Sequence, residues 1–419
     1  MKRSVLIALV LTLSTWCLAA DWPRWRGPDG TGQVPAGVAV PKTLPAEPQV
    51  VWHVKIGDGV ASPVVSGGKV FYLDHQKGKE VAHAAEAATG NELWSVPLDE
   101  VFKDFQSAPG PRCTPVVDAD RVYVQSCRGE FQCLNVADGK SVWRVNFVKD
   151  FGAVFSGEIG LAVGASRHGY TGSAVVDGDR IFVGVGGAQG ASVVCFDKKD
   201  GKVIWKSQND VPGYSGPIVA TIGGTKQVIS FTSEAVIGLD AADGKLLWRS
   251  PAIKTGFARH VTTPAVVEDM VIVSSHEAGL LGFRITKDGD TFKAERAWVA
   301  KPLACNFASP VAVGGQVYGL GPGEKLFCAD ARTGDKAWAN DSFFSGMLEK
   351  GYASFIVMND TILVLAEKGQ LFLVAADPKE CRVISKTQAC GKNWCNPAYA
   401  DGKLYVRDAQ ELRCLQLLP

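Results

Sequence analysis

The residues of this chain that could act together on a ligand are not neighbours in the sequence. Ser62, Arg112, Tyr170, Tyr214, His260 (beside Arg259), Asn306, Tyr352 and Asn396 each stand just before a short apolar, often β-branched stretch. If those stretches are equivalent elements, the slots before them converge on one axis. Guanidinium, imidazole, phenol and amide groups gathered there suit a polar or anionic ligand. They equally suit hydrogen bonding to loops and channel water. Conventional catalytic spacings are absent: the six histidines are scattered, and no HExxH, GxSxG, P-loop or GxGxxG occurs. The stretch GVGGAQG at 184–190 places its last glycine one position late and reads as a hairpin loop.

The elements that must position these groups repeat. PVVSGGKVFYL, PVVDADRVYV, AVVDGDRIFV, IVATIGGTKQVI, AVVEDMVIV, VAVGGQVYGL, IVMNDTILVL and AYADGKLYV share one pattern, with turns centred near residues 67, 119, 178, 223, 268, 314, 359 and 401. Each copy reads as a β-hairpin, two β-branched or aromatic runs around a tight turn. A third apolar strand and a tryptophan-bearing strand follow most copies. Four strands at a period of about 45 residues make a propeller blade. The last copy ends without its fourth strand, whereas Val50-Val51-Trp52-His53-Val54 precedes any hairpin. The expected fold is therefore an all-β, eight-bladed β-propeller of four-stranded antiparallel blades, its N-terminal strand closing the last blade. Closure removes the exposed strand edges an open ring would leave.

A second phrase explains how blades would join. DAADGKLLW at 240–248 returns as DKKDGKVIW, NVADGKSVW, DARTGDKAW and EAATGNELW. The glycine supplies the positive φ of a turn, and the indole can bury against it with its N–H on a carbonyl. Trp52, Trp94, Trp143, Trp205, Trp248, Trp298 and Trp338 are the expected staples between blades. Over residues 51–419 this pattern resembles the tryptophan-docking motif of the pyrroloquinoline-quinone (PQQ)-like β-propeller repeat family. The copy with Trp298 has an expanded turn, and the blade around Asp377-Pro378 has lost its tryptophan, making it the expected weak junction.

The resemblance implies two functional readings. Quinoprotein dehydrogenases of the family sandwich PQQ between a tryptophan and a vicinal Cys–Cys ring, hold calcium through Glu, Asn and Asp, and use an Asp base. This chain has no Cys-Cys dipeptide, and no calcium triad can be assigned. The similarity is closer to non-enzymatic propellers that bind partners by loops. The expectation is an exported scaffold, without catalytic residues, cofactor or metal, holding a protein, glycan or small polar ligand on its loop-rich face. The alternative is a PQQ-dependent alcohol dehydrogenase-like oxidoreductase with calcium.

Bulk properties narrow the setting. A net charge of +1 gives no basic field for nucleic acid. Lys2 and Arg3, an apolar run from Val5 to Leu13, and Leu18-Ala19-Ala20 have the layout of a signal peptide cleaved after Ala20. The expected organisation is a signal peptide at 1–20, a lead segment at 21–49 whose Trp22 and Trp25 pack on the propeller, and the propeller at 50–419. A periplasmic or secreted monomer with no membrane span follows, with removal of Cys17 favoured over its lipidation. Export permits disulfides, and Cys381–Cys390 could replace the missing tryptophan staple. Cys133, Cys195, Cys328 and Cys414 fall where other copies carry a small residue, and read as buried small hydrophobes. The links 95–112, 339–352 and, longest, that from Trp143 to Tyr170 with Glu158 mark the expected binding face.

Overall fold

The turn Gly67-Gly68, with φ of 56° and 73°, shows how the first blade begins. Two consecutive positive φ values twist the turn in the sense of the flanking strands, so Val64–Ser66 folds directly onto Lys69–Gln76. Lys79–Glu86 and Glu92–Glu100 complete the blade. The computed structural model describes residues 21–103, 108–155, 165–256, 258–346 and 351–418, and forms eight such four-stranded sheets. Gln49–Lys55 pairs antiparallel with Glu411–Gln416, Trp52 facing Cys414, so the eighth blade is closed by the N-terminal strand. The structure is an eight-bladed β-propeller. The proposed signal peptide with Cys17, and Glu158 in the longest link, lie outside the described residues.

In seven blades the small-residue slot of the third strand lies directly opposite a tryptophan; Ala84 faces Trp94, Cys133 faces Trp143 and Cys195 faces Trp205, for example. A Cβ on Gly238 would lie 2.2 Å from the Trp248 ring, so bulk is excluded there. The ring then reaches the next blade, where a side chain on Gly201 would meet Trp143 at 2.6 Å. Five indoles donate to a carbonyl of that neighbouring turn: Trp52 to Ala87, Trp94 to Val136, Trp143 to Lys198, Trp205 to Ala241 and Trp338 to Asp377. Trp248 differs, donating to Gln227 of its own blade at 2.6 Å.

The blade without a tryptophan carries Ser385 in that register position, opposite Leu373. Its hydroxyl accepts the backbone N–H of Leu44 at 2.8 Å, and Thr387 donates to the Ala46 carbonyl at 2.8 Å. Buried Leu44 of the lead segment packs in the core cluster of this junction. The Cys381–Cys390 disulfide is not formed; both cysteines are free. They flank opposite ends of the strand Val383–Gln388, and six extended residues span about 20 Å, far beyond the roughly 7 Å limit between bridged Cα atoms.

The inner strands leave their free edges toward the axis, and the lead segment meets them. Trp22 and Val65 exchange backbone hydrogen bonds at 2.8 and 2.9 Å, Val117 donates to Pro23, and Val357 donates to Gly32 and accepts from Val34. Arg24 reaches the Val176 carbonyl, Gln33 that of Ala312 and Arg26 that of Pro310. The chain thus occupies its own channel and satisfies edge groups that burial would otherwise penalise. At the closing junction the fully buried Arg407 donates from Nη1 to the Leu73 carbonyl at 2.7 Å and from Nη2 to that of Gly57 at 3.0 Å.

Candidate functional site

Each blade's inner strand is entered by an extended run that starts on the link face. Pro63, Pro115, Pro264, Pro310 and Pro397 sit in these runs, and proline keeps the residue before it extended. Side chains on an extended backbone alternate between two sides. Six residues before the last residue of each inner strand stand Val60, Arg112, Thr171 and Gly216, then Val261, Phe307, Tyr352 and Trp394. All eight line one axial cavity of about 590 Å³. Tyr214 and Arg259, two residues earlier in their blades, join them, and Ser173, Thr263 and Ser309 follow two residues later. Trp25 of the lead segment also lines the cavity and donates to Thr263 Oγ1 at 3.0 Å. With the lead inside the channel, the cavity is a cup floored on that side.

Of the residues proposed from sequence, Arg112, Tyr214, Arg259 and Tyr352 come together here. Tyr170 and His260 do not, which corrects the expectation that they share a pocket with Arg112. They stand one residue out of register and turn into the blades. The buried Tyr170 hydroxyl donates to Val185 at 2.6 Å. His260 is fully buried, stacks on Phe231 at 4.3 Å and bonds through Nδ1 to the Thr232 carbonyl at 2.7 Å. Burial lowers its pKa, outweighing that hydrogen bond, so the neutral ring donates from Nδ1. Asn306 shares the off-register position and is not in the lining. Asn396 supports it from outside, accepting the Tyr352 hydroxyl at 2.8 Å, while its backbone N–H donates to Ser62. Trp25, Phe307 and Trp394 were missed, although Phe307 and Trp394 hold the same register position as Arg112.

The two cations are fixed by their surroundings. Arg112 donates to the His168 carbonyl at 2.6 Å, with its guanidinium 5.0 Å from the Phe102 ring centroid. Arg259 meets His276 Nε2 at 3.0 Å and lies 5.8 Å from the Phe307 centroid. The Tyr352 and Trp394 rings stack at 5.8 Å and 18°. No carboxylate is among the described lining residues. The cup offers two positive charges, several hydroxyls and aromatic faces.

A family model described as "Outer membrane protein assembly factor BamB", PQQ_2, matches residues 43–156 and 78–340, well over half of the chain. The chain belongs to the PQQ_2 family. This PQQ_2 propeller is 24% identical over 336 residues to the outer membrane protein assembly factor BamB of Yersinia pestis, covering 76% of each chain. In structure it is similar to BamB from Moraxella catarrhalis, with a TM-score of 0.60 at 15% identity over 88% of this chain and 97% of that one. The quinohemoprotein alcohol dehydrogenase ADHIIG from Pseudomonas putida HK5 shares the fold more distantly, with a TM-score of 0.50 at 14% identity over 95% of this chain and 80% of that one.

The fold alone therefore does not decide for or against a quinone cofactor. The described lining residues supply no carboxylate for calcium-assisted quinone binding. Calcium takes six to eight oxygen ligands, carboxylates prominent among them. Among the described residues no group of three His, Cys, Asp or Glu side chains is placed to hold a metal ion, and no two cysteines are adjacent in the sequence.

Proposed function

We propose that this PQQ_2 propeller is an exported, non-enzymatic binding scaffold that receives its ligand at the mouth of the axial cup. One observation carries the reading: a single register of the repeat, taken eight times, lines a cavity holding Arg112 and Arg259 with no described carboxylate. Such a site attracts negative charge, and among the described residues it holds no cluster of three His, Cys, Asp or Glu side chains placed for a metal ion. The family's description as an assembly factor supports work done by binding. Among the described residues no helix is long and apolar enough to cross a membrane. Export is the reading of the N-terminal segment.

The test immobilises the mature protein, exposes it to native envelope extract, and compares it with the Arg112→Glu/Arg259→Glu double variant. A component retained by the parent and lost by the variant supports the reading. Equal retention by both would overturn it. So would dye reduction with alcohols after addition of PQQ and Ca²⁺, the signature of the dehydrogenase alternative.

A further inference from the structure

We propose that Arg26 holds a compact monovalent inorganic anion, of the size and charge of chloride, in a second cavity of the channel. This cavity, of about 70 Å³, lies further along the inner strands than the cup. Ala265, Val266 and Ala312 line it, where Val261, Thr263 and Ser309 line the cup. The path of the lead segment leaves room for it. The lead bonds the inner strands of the first three blades at Val65, Val117 and Val176, then those of the sixth and seventh at Ala312 and Val357. Residues 27–31 carry it past the fourth and fifth blades, with Gly30 and Thr31 in the cavity wall. Val266 holds in the fifth blade the position of Val65 in the first, whose N–H and carbonyl both face the lead. Val219, two residues before the corresponding Thr221 of the fourth blade, presents its backbone on the same side. Both line the cavity, and the lead bonds neither N–H.

Arg26 supplies the charge. It lines the cavity and is only 3% exposed. Its Nη2 donates to the Thr31 and Pro310 carbonyls at 2.8 and 2.7 Å, which fixes the plane of the guanidinium. Nε and Nη1 meet no acceptor among the described residues. Burial lowers the pKa to about 10, against Asp29, which raises it, so the group stays charged at neutral pH. Asp29 is on the same wall, but its Oδ1 takes the backbone N–H and the hydroxyl of Thr31, at 3.0 and 2.7 Å. Buried charges in folded proteins are paired. Guanidinium and strand-edge N–H groups are all donors, and the species that satisfies donors around a positive charge is an anion. The cavity has room for an ion and is far smaller than an organic-ligand site. The Asp29 carboxylate favours one negative charge over two. An anion here ties the lead to the two blades whose edges it passes by.

Calorimetric melting of the mature protein in sodium chloride and in sodium gluconate of equal ionic strength tests this, gluconate being too large for the cavity. An anion held only by the folded form raises the midpoint by mass action. Chloride, and bromide likewise, should raise it by a few degrees over gluconate, half of the rise being reached below about 0.15 M, physiological ionic strength. Arg26→Met keeps the bulk without the charge, and should melt alike in both salts. The Arg112→Glu/Arg259→Glu variant should keep the chloride response, which separates this site from the cup. Should Arg26→Met not fold, crystals of the parent protein grown in bromide should show an anomalous peak within hydrogen-bond distance of the Arg26 guanidinium. Equal midpoints in chloride and gluconate, a chloride response retained by Arg26→Met or lost in the double variant, or no bromide beside Arg26 would overturn the proposal.

Discussion

Trp25 donates its indole N–H to the Thr263 hydroxyl across 3.0 Å. A residue of the N-terminal lead is thereby bonded to the inner wall of the fifth blade, halfway round the ring from where the lead enters beside Val65. The lead is thus an internal component of the propeller. Trp22, only 2% exposed, anchors it, its ring held against Gly27. Trp22→Ala should cost on the order of 3–5 kcal/mol, as for other buried large-to-small changes. A urea midpoint equal to wild type would show that the lead is not integral.

The tryptophans between blades predict a contrast. Trp205 bonds to the next blade, whereas Trp248 bonds within its own. Both are buried, so Trp→Ala at either should cost on the order of 3–5 kcal/mol. Gln227→Leu removes the acceptor of Trp248 together with the donor to the Ile222 carbonyl, and should cost about 1–3 kcal/mol for the buried N–H left unmet. Equilibrium unfolding of the three variants measures this, and near-wild-type stability of Trp205→Ala would remove its stapling role.

Most of this fold is legible in sequence because it is written eight times: a hairpin beginning with Gly67-Gly68 and one ending with Asp401-Gly402 serve the same turn. The closing strand is legible because the orphan at each end complements the other. The cup was only half legible. Its residues are fixed by an alternation of two, and a one-residue error turns a side chain from channel to blade. Arg112 and Tyr352 were placed in one phase, Tyr170 and His260 in the other. Counting back from the hairpin turn, instead of from the start of the apolar stretch, recovers Phe307 and Trp394. Trp25 could not be found this way, because it belongs to no repeat. The partnership of Leu44 with Ser385 is likewise a tertiary substitution that no local pattern announces.

Two buried groups make stability depend on pH in the same direction. Burial raises the Glu80 carboxyl to about 7, against the N–H groups of Cys127 and Phe102 that bond it. His83 is raised too: burial lowers it, but hydrogen bonding and charge from Asp74, then Glu92, prevail. A raised folded pKa contributes stability that is complete below the unfolded pKa and lost as pH climbs through the folded one. For Glu80 the loss falls between about pH 4.5 and 7, and amounts to roughly 3 kcal/mol at 1.36 kcal/mol per unit. For His83 it begins above about 6.5. These two contributions should lower urea midpoints between pH 5 and pH 8. They act against the opposite contribution of His260 and His276, whose lowered pKa values add stability as pH rises to about 6.5. Glu80→Gln should remove the part of the fall that lies below pH 7. An unchanged slope in the variant would exclude Glu80 as its source.

Arg407 spans the junction that closes the ring, donating to Leu73 of the first blade and to Gly57 of the link that leads into it. Arg407→Lys keeps the charge but not the planar fork. It should destabilise by about 2–3 kcal/mol, as expected when buried acceptors lose a charged donor. Differential scanning calorimetry should place it well below wild type; equal melting would show that charge alone suffices there.

The central claim, that function resides at the mouth of the axial cup, is tested most directly by hydrogen–deuterium exchange of the mature protein with and without native envelope extract. Protection is predicted in the entry runs around Arg112, Tyr214, Arg259 and Phe307, and should vanish in the Arg112→Glu/Arg259→Glu variant. Protection confined to the opposite face, at the turns around Gly139, Gly201 and Gly244, would contradict the account.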